Sequence, residues 1–247
     1  TVDINGFVTA NPNPPPSLVS GGILNNLNPI IGAPLAPGTI AQVYGDNFYS
    51  GTGFESAAAP PLEPRFRGAQ LTVSAYPAPF YYISRTQAAA QIPTELTPGR
   101  TYSAILEVNG IFSVPQSFEV TGPTPGVVTS GSALVAQHSD YQLVTSMNPA
   151  KPGESLVMYL VGMGATNPDV PTGAPAPFSP LAQAAVQPVV TIDGQRADII
   201  FAGVTPGYAG LYQINFKVPA TARDGDLDVV ITQNGIAANP PKLTVKK

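Results

Sequence analysis

Short runs in which apolar and polar residues alternate recur along this chain, and turn-forming residues separate them. In the run Tyr212–Val218 every second residue is apolar and the residues between them are polar. A period of two places the apolar side chains on one face of a β-strand and the polar side chains on the other. Because proline or glycine interrupts every window long enough to form a helix, the pattern predicts an all-β protein. The predicted strands are Ile40–Tyr44, Gln70–Ser74, Phe80–Ile83, Ser103–Val108, Ser117–Val120, Ser155–Val161, Val189–Ile192, Ile199–Ala202, Tyr212–Val218, Asp228–Thr232 and Lys242–Val245.

Three dipeptides between strand-like runs are typical of tight hairpins: Asn109-Gly110, Asp193-Gly194 and Asn234-Gly235. A type I′ turn requires positive φ at both of its central residues, and Asn, Asp and Gly tolerate that conformation best. We therefore expect a two-residue hairpin at each of these positions.

The chain also contains an internal repeat. Equivalent positions lie 115 residues apart at Gly38 and Gly153 and 126 residues apart at Pro93 and Pro219. We expect the two glycines to occupy equivalent turns and the two prolines to mark equivalent strand ends, since proline cannot donate to a strand ladder. A repeat of roughly 100 residues has the size of an immunoglobulin-like domain. The repeat therefore predicts two tandem immunoglobulin-like antiparallel β-sandwiches, at residues 23–122 and 123–247, joined by a short, stiffened hinge at Thr121–Gly126.

Residues 1–22 are predicted to be an N-terminal extension strand followed by a proline-rich spacer. Val2 and Ile4 share one face of the strand, and Phe7 and Val8 continue its apolar character. A lone strand is not stable in water, so it must pair with the edge of a sheet. That edge belongs either to the first sandwich of the same chain or to a neighbouring copy, which the extended spacer, at about 3 Å per residue, allows the strand to reach.

The composition excludes several classes of protein. The chain has 247 residues, of which 29 are Pro and 24 are Gly, with 11% charged residues, a net charge of −4, one His and no Cys. These counts exclude a disulfide framework and a multi-histidine zinc centre. They also argue against a nucleic-acid partner, which requires a basic surface, and no apolar run is long enough for a membrane span. The start at Thr1 predicts either a removed leader or a piece of a longer protein.

Candidate chemistry is sparse, and the sequence predicts no enzyme, no catalytic residue and no cofactor. Asp224, Asp226 and Asp228 form a calcium candidate, because hard cations require several oxygen ligands. The EF-hand pattern fails at its Gly and Glu positions, so the alternative is a solvated turn whose acids cap local backbone groups.

Two further patterns have ordinary explanations. His138, Ser139 and Asp140 are adjacent, whereas a catalytic triad converges from separate positions, and Gly162-Met163-Gly164 is best explained as a turn at a strand end. Among the aromatic residues, alternation places Phe80 and Tyr82 together in the core. It leaves Tyr76 and Tyr81 for the surface, which are too few to indicate a carbohydrate platform.

Several stretches carry a resemblance to a known family. The most specific is Gly210–Pro219, and the others are Leu35–Thr39, Tyr44–Phe48, Thr86–Pro93, Asn148–Gly153, Gly162–Ala165, Val170–Gly173 and Ala202–Gly207. Through them residues 24–247 resemble the uncharacterised two-repeat domain, named after Solibacter, at the C-termini of secreted acidobacterial proteins. The repeat unit also resembles the immunoglobulin-like modules known as IPT or TIG. The resemblance implies secretion and a β-sandwich fold and carries no catalytic residues. The insertion Tyr49–Arg67 departs from the pattern and is expected to be a surface loop.

Two functional hypotheses follow. The first is an extracellular structural protein, a subunit of a surface filament, pilus-like fibre or adhesive stalk, whose copies associate head to tail by β-strand addition. The low charge of the chain favours it, because weakly charged surfaces repel one another less. The alternative is an accessory cell-surface module that binds a glycan or a protein for a larger secreted protein.

Overall fold

A computed structural model describes residues 14–247, and within this range the chain forms β-strands and no α-helix. The prediction of an all-β fold with two tandem β-sandwiches is confirmed. The described residues therefore include no helix able to cross a membrane. The first sandwich, here the first module, contains β1 (Ser17–Asn25), β2 (Ile40–Asp46), β3 (Phe54–Ser56), β4 (Ala69–Val73), β5 (Tyr76–Ala78), β6 (Phe80–Ser84), β7 (Gln87–Gln91), β8 (Arg100–Val108), β9 (Ile111–Phe112) and β10 (Gln116–Val120). The second module contains β11 (Gly126–Val127), β12 (Thr129–Ser130), β13 (Ala133–Leu134), β14 (Ala136–Gln137), β15 (Ser155–Val161), β16 (Thr166–Asn167), β17 (Gln183–Ala184), β18 (Val189–Ile192), β19 (Gln195–Arg196), β20 (Asp198–Val204), β21 (Tyr212–Lys217), β22 (Gly225–Gln233), β23 (Ile236–Ala237) and β24 (Lys242–Val245).

The first module stacks two antiparallel sheets. Sheet A has the strand order β1-β2-β7-β6-β3, and sheet B has the order β10-β8-β4-β5 with β9 paired to β8. Their inward faces bury one apolar cluster that includes Leu71, Phe80, Ile83 and Leu106. Burial of these large side chains, at about 1.5–3 kcal/mol each, is the main force that holds the two sheets together.

The second module repeats this arrangement with more strands in each sheet, and its strand pairs are antiparallel except for β13 and β24, which are parallel. Sheet C runs β11-β15-β21-β20-β17-β16 with β14 on β15, and sheet D runs β12-β13-β24-β22-β18-β19 with β23 on β22. In β21, Tyr212, Ile214 and Phe216 are buried, as the alternation predicts. Leu156 and Met158 of the neighbouring β15 pack in the same core.

The predicted turns are confirmed. Asn109, Asp193 and Asn234 have φ values between 50° and 51°, and each is followed by a glycine at positive φ, as a type I′ hairpin requires. Gly38 and Gly153 lie at φ 78° and 80°, and their N–H groups donate to Ile92 O and Val218 O, so they occupy equivalent turns.

The predicted start of the first sandwich, at residue 23, is wrong. β1 extends from Ser17 to Asn25, so that boundary falls inside a strand. The strand contains a bulge in which residues 19–22 face only Tyr44 of β2, with Gly21 at φ 68°. Because the bulge and two glycines interrupt the alternation, the sequence pattern does not identify this strand.

The linker Thr121–Gly126 is held in place along its length, which corrects its interpretation as a hinge. The backbone N–H of Thr121 donates to Leu35 O (2.9 Å), and that of Thr124 donates to Gly162 O (2.8 Å). The Asn25 side chain donates to Thr124 O at 2.8 Å. The linker therefore bonds to both modules.

Candidate functional site

The residues of the predicted extension strand, Val2, Ile4, Phe7 and Val8, lie outside the described residues. The strand remains a prediction.

The three aspartates of the calcium candidate do not converge. Each carboxylate accepts a hydrogen bond from a different partner at the exposed start of β22, and the described residues contain no group of three or more His, Asp or Glu side chains arranged around one point. For Asp224, Asp226 and Asp228 in turn, the donors are Lys247 N (3.0 Å), Thr244 Oγ1 (2.7 Å) and Lys242 Nζ (2.6 Å). The alternative interpretation is confirmed only in its exposure: the donors belong to β24 and the residues after it, 14 to 23 positions away, and two of them are side chains rather than local backbone groups.

His138 fixes the loop between β14 and β15 of the second module by two hydrogen bonds. Its Nδ1 lies 2.7 Å from Glu154 Oε1 and its Nε2 lies 3.2 Å from Asn148 O. Burial disfavours the charged imidazole, but the bonds to Glu154 and Asn148 outweigh burial, so the pKa of His138 is raised. Asp140 accepts instead from the backbone of Gln142. The three adjacent residues do not act as a unit.

The two modules meet at a joint with an apolar centre. Ile40 and Ala89 on the outward face of sheet A pack against Val161 at the end of β15. Leu27, Tyr81, Tyr82 and Leu211 surround them.

Hydrogen bonds between polar groups of the two modules complete the joint. Gln91 is buried, and its Oε1 accepts from the backbone of Gly173 at 2.7 Å. The hydroxyl of Thr172 accepts from the backbone N–H of Thr94 at 2.8 Å and donates to Glu95 at 2.6 Å.

Tyr81 also crosses the joint. Its hydroxyl donates to the carbonyl of Ala209 and accepts from the backbone N–H of the same residue. Burial raises the pKa of Tyr81 to about 12; the bond to Ala209 opposes the rise, and Tyr208 adds to it.

Glycines allow the backbones of the two modules to approach closely. Gly210 has φ 69°, and a Cβ there would lie 2.5 Å from Gly38 O of the first module. A Cβ on Gly162 would collide with Thr124 O of the linker. Both glycines belong to the stretches that carry the family resemblance, and their role in this structure is to pack the joint.

A cavity of about 280 Å³ opens beside the joint, lined by Thr94, Glu95, Asp169, Gly210 and Tyr212 among others. The hydroxyl of Tyr212 donates to the carbonyl of Gly164, which also lines the cavity, and Glu95 accepts from Thr172. Thr94 and Glu95 thus already take part in the hydrogen bonds of the joint.

A more open site lies on the outward face of sheet A, where the prediction for Tyr82 is wrong. A β-bulge at Tyr81 separates Phe80, which faces Ala90, from Tyr82, which faces Ala89. The bulge shifts the alternation by one residue. Phe80 therefore points into the core, and Tyr82 points outward.

The register defines this surface, here the outer face of sheet A. One row crosses four strands: Tyr44 pairs with Gln87, Phe54 pairs with Ser84, and the Ser84 hydroxyl donates to Gln87 O at 2.9 Å. The next row contains Gln42, Ala89, Tyr82 and Ser56, of which Gln42 and Ala89 are buried, Ala89 in the joint. Gly53, Phe54, Tyr82, Ser84 and Gln87 line a shallow depression of about 440 Å³ on it.

A second open surface is the side groove of the first module, between β1 and β10. It encloses about 200 Å³, and Gly21, Ile23, Gly32, Ala33 and Phe118 contribute to its lining. Beside it Ile31 is 81% exposed, and Val19 and Ile30 are also exposed.

The outer edge of β10 borders this groove. The carbonyl of Glu119 points outward, because it accepts from the backbone N–H of Leu35 at 2.9 Å. Ser117, two residues earlier, has its backbone groups on the same side. Within residues 14–247, no backbone group pairs with Ser117 on that side.

No family model and no curated protein matches the chain. Among solved structures it is similar to SGBP-B of the Bacteroides ovatus mixed-linkage glucan utilization locus in complex with a mixed-linkage heptasaccharide, at 14% identity and TM-score 0.36, over 88% of this chain and 44% of that one. It is similar to domains 5–6 of the S-layer protein SbsC, at 11% identity and TM-score 0.27, over 93% and 98% of the two chains. It is also similar to the I9–I11 tandem of titin, at 8% identity and TM-score 0.25, over 84% and 59%. The chain spans less than half of the SGBP-B structure, and similarity this low carries no conclusion about function.

Proposed function

We propose that the chain is a non-catalytic structural subunit of the cell exterior, as in a filament, pilus-like fibre or adhesive stalk, whose copies join head to tail by β-strand addition. Residues 1–10 of one copy add to the outer edge of β10 of the next. The observation that carries the proposal is this edge, where Ser117 has no backbone partner among the described residues. An unpaired edge beside an apolar groove is a template for an incoming strand.

The chemistry of the donor strand fits the groove. Val2 and Ile4 alternate with polar residues, so they can face the side groove while the strand pairs with β10. Ile31 and Val19, exposed beside the groove, would lose contact with water when the strand binds.

The spacer favours a neighbouring copy as the acceptor. To reach the groove of its own module, the strand would have to reverse direction within Asn11–Pro16, a segment with four prolines. Prolines favour an extended chain and oppose a tight reversal. Repeated donation to the next copy is a heterologous contact, which produces a filament.

The test uses two variants of the full chain, examined by light scattering and negative-stain electron microscopy. Ser117→Pro removes an N–H group that the ladder to β8 does not use, so the fold tolerates it and polymer formation is lost. Deletion of residues 1–10 also abolishes polymers, and a synthetic peptide of residues 1–10 then binds the shortened protein.

Ile200→Asp serves as a control, because Ile200 is an exposed apolar residue of the second module, away from the groove. It leaves assembly unchanged, whereas Ile31→Asp weakens it. A wild-type chain that stays monomeric at all concentrations, or polymers that persist in Ser117→Pro, would refute the proposal.

A further inference from the structure

The geometry points to a second function that is independent of assembly: we propose that the outer face of sheet A binds a neutral polysaccharide. Phe54 and Tyr82 supply stacking surfaces, and Gln87 and Ser84 supply hydrogen bonds. A pyranose ring has one face of C–H groups and a rim of hydroxyls, so a site for it combines aromatic rings with uncharged polar groups.

The aromatic part of the site is accessible to solvent, and its two rings lie at a steep angle to each other. The rings of Phe54 and Tyr82 lie 6.3 Å apart at an interplanar angle of 75°. Phe54 is 68% exposed although it lies within a strand, and Tyr44, at the other end of the row, is 38% exposed. A sugar that covers such a ring buries apolar area on both partners.

The polar part is fixed before a ligand arrives. Gln87 Nε2 donates to the Tyr82 hydroxyl at 2.7 Å, and that hydroxyl donates to Gln42 Oε1 at 2.8 Å. Gln42 Nε2 in turn donates to Ala88 O at 2.9 Å. This chain of bonds orients the Tyr82 ring and the amide of Gln87, so little side-chain entropy is lost on binding. The bonds leave Gln87 Oε1 as an acceptor for a sugar hydroxyl.

The charges around the face select a neutral ligand. In both rows every side chain is uncharged. At the outer corner Arg85 and Asp46 form an ion pair at 3.3 Å. Glu55, between Phe54 and Ser56, points away from the face and bonds to Tyr49 and Arg67. A charged polymer would find no counter-charge among the two rows.

The row from Tyr44 to Phe54 also suits an extended polysaccharide chain. It crosses four strands that lie about 4.8 Å apart, so Tyr44 and Phe54 are separated by roughly 14 Å. A ligand along this row contacts a ring at each end and amide or hydroxyl groups between them.

Affinity gel electrophoresis of the full chain tests the proposal. The gels contain dextran, xyloglucan, galactomannan or arabinoxylan as neutral probes and polygalacturonate as the anionic probe. We expect at least one neutral polysaccharide to retard the protein and the retardation to be insensitive to salt. Phe54→Ala weakens binding about tenfold, which matches the loss of one stacked ring.

Phe112→Ala is the matched control. Phe112 is 63% exposed, close to the 68% of Phe54, but it belongs to β9 on sheet B. It leaves retardation unchanged, and Gln87→Ala lowers it. Retardation by polygalacturonate alone, by no neutral probe, or with equal sensitivity to Phe54→Ala and Phe112→Ala would overturn the proposal. So would a loss of self-association in Phe54→Ala with glycan binding intact, because the face would then contact protein. The deletion of residues 1–10 retains glycan binding, which separates this proposal from the proposed assembly.

Discussion

Gly210 shows how a missing side chain sets the distance between two modules. Its backbone lies so close to Gly38 O that a Cβ would come within 2.5 Å of that oxygen. Its φ of 69° would strain any other residue as well. Gly153 has a similar φ, 80°, but a Cβ there would meet nothing within 4 Å. Comparison of the two glycines therefore distinguishes the cost of backbone strain, which both positions share, from the cost of a collision at the joint, which arises only at Gly210.

We therefore expect Gly210→Ala to destabilise the protein more than Gly153→Ala. Left-handed strain costs about 1–2 kcal/mol at either position, and Gly210→Ala adds the displacement of one module from the other. Thermal unfolding measures both effects. Equal melting temperatures for the two variants would contradict the close packing of the joint.

His138 predicts a pH dependence. Folding raises the pKa of its imidazole, so the folded state binds the proton more tightly. The resulting stabilisation is complete below the unfolded pKa, about 6.5, and is lost as the pH rises through the folded pKa. His138→Ala should therefore lower the melting temperature more at about pH 5.5 than at about pH 9.

Ser139→Ala, at the exposed neighbouring position, is the control for this pH series. It should leave the melting temperature unchanged at both values. An equal loss for His138→Ala at both pH values would show that the imidazole contributes by packing alone.

At the scale of elements, the alternation of apolar and polar residues predicts strands wherever the apolar positions hold large side chains. Every strand predicted from the pattern is present, and Ser155–Val161, Val189–Ile192 and Lys242–Val245 have the predicted bounds. β7 was missed because its sequence, Gln-Ala-Ala-Ala-Gln, lacks the β-branched and aromatic residues that favour strands. The alanines of β7 are buried between β2 and β6. The local sequence does not show that this segment lies between two other strands.

The same limit applies to the candidate site. Alternation at residues 80–82 predicts that Tyr82 lies in the core, because the pattern does not reveal the bulge at Tyr81. Phe54 lies in an insertion rich in Pro, Gly and Ala, and its neighbour Tyr82 is 28 positions away in the sequence. The partners of Gln42 and Gln87 likewise depend on sheet register, which the sequence leaves open.

Proteolysis distinguishes the two segments that the sequence presents as exposed. Most residues of Tyr49–Arg67 are exposed, although Leu62 is buried and its N–H donates to Gly173 O at 2.8 Å, whereas Thr121–Gly126 contains no exposed residue and is bonded to both modules. A protease of broad specificity should therefore cleave first within Tyr49–Arg67. Fragment masses identify the cuts, and early fragments that begin near residue 121 would show that the linker opens in solution.

At the scale of the whole molecule, the joint makes the two modules one body. An apolar cluster, the buried Gln91 and the linker all cross it. Interfaces between domains of one chain usually permit relative motion, but large and well-packed ones suppress it. We expect small-angle X-ray scattering of the shortened protein without residues 1–10 to fit a single conformation.

The variant Gln91→Ala with Thr172→Ala should loosen the joint and enlarge the radius of gyration. Its matched control is Gln70→Ala with Thr72→Ala, which removes a surface Gln–Thr bond of 3.3 Å within sheet B. The control should scatter as the parent protein does. An unchanged profile for the joint variant would assign the rigidity to the apolar cluster and the linker alone.

The positions of β1 and β24 have a mechanical consequence. Ser17 pairs with Asp46, at the end of the first module opposite the joint residue Ile40, and Val245 pairs with Gly225 beside Ala150, at the far end of the second module. A pulling force applied at these two ends would slide β1 along β2 and β24 along β22, parallel to the strand axes. Sliding breaks the cross-strand hydrogen bonds together rather than one after another. Unfolding the molecule by pulling at these two ends should therefore require a high force.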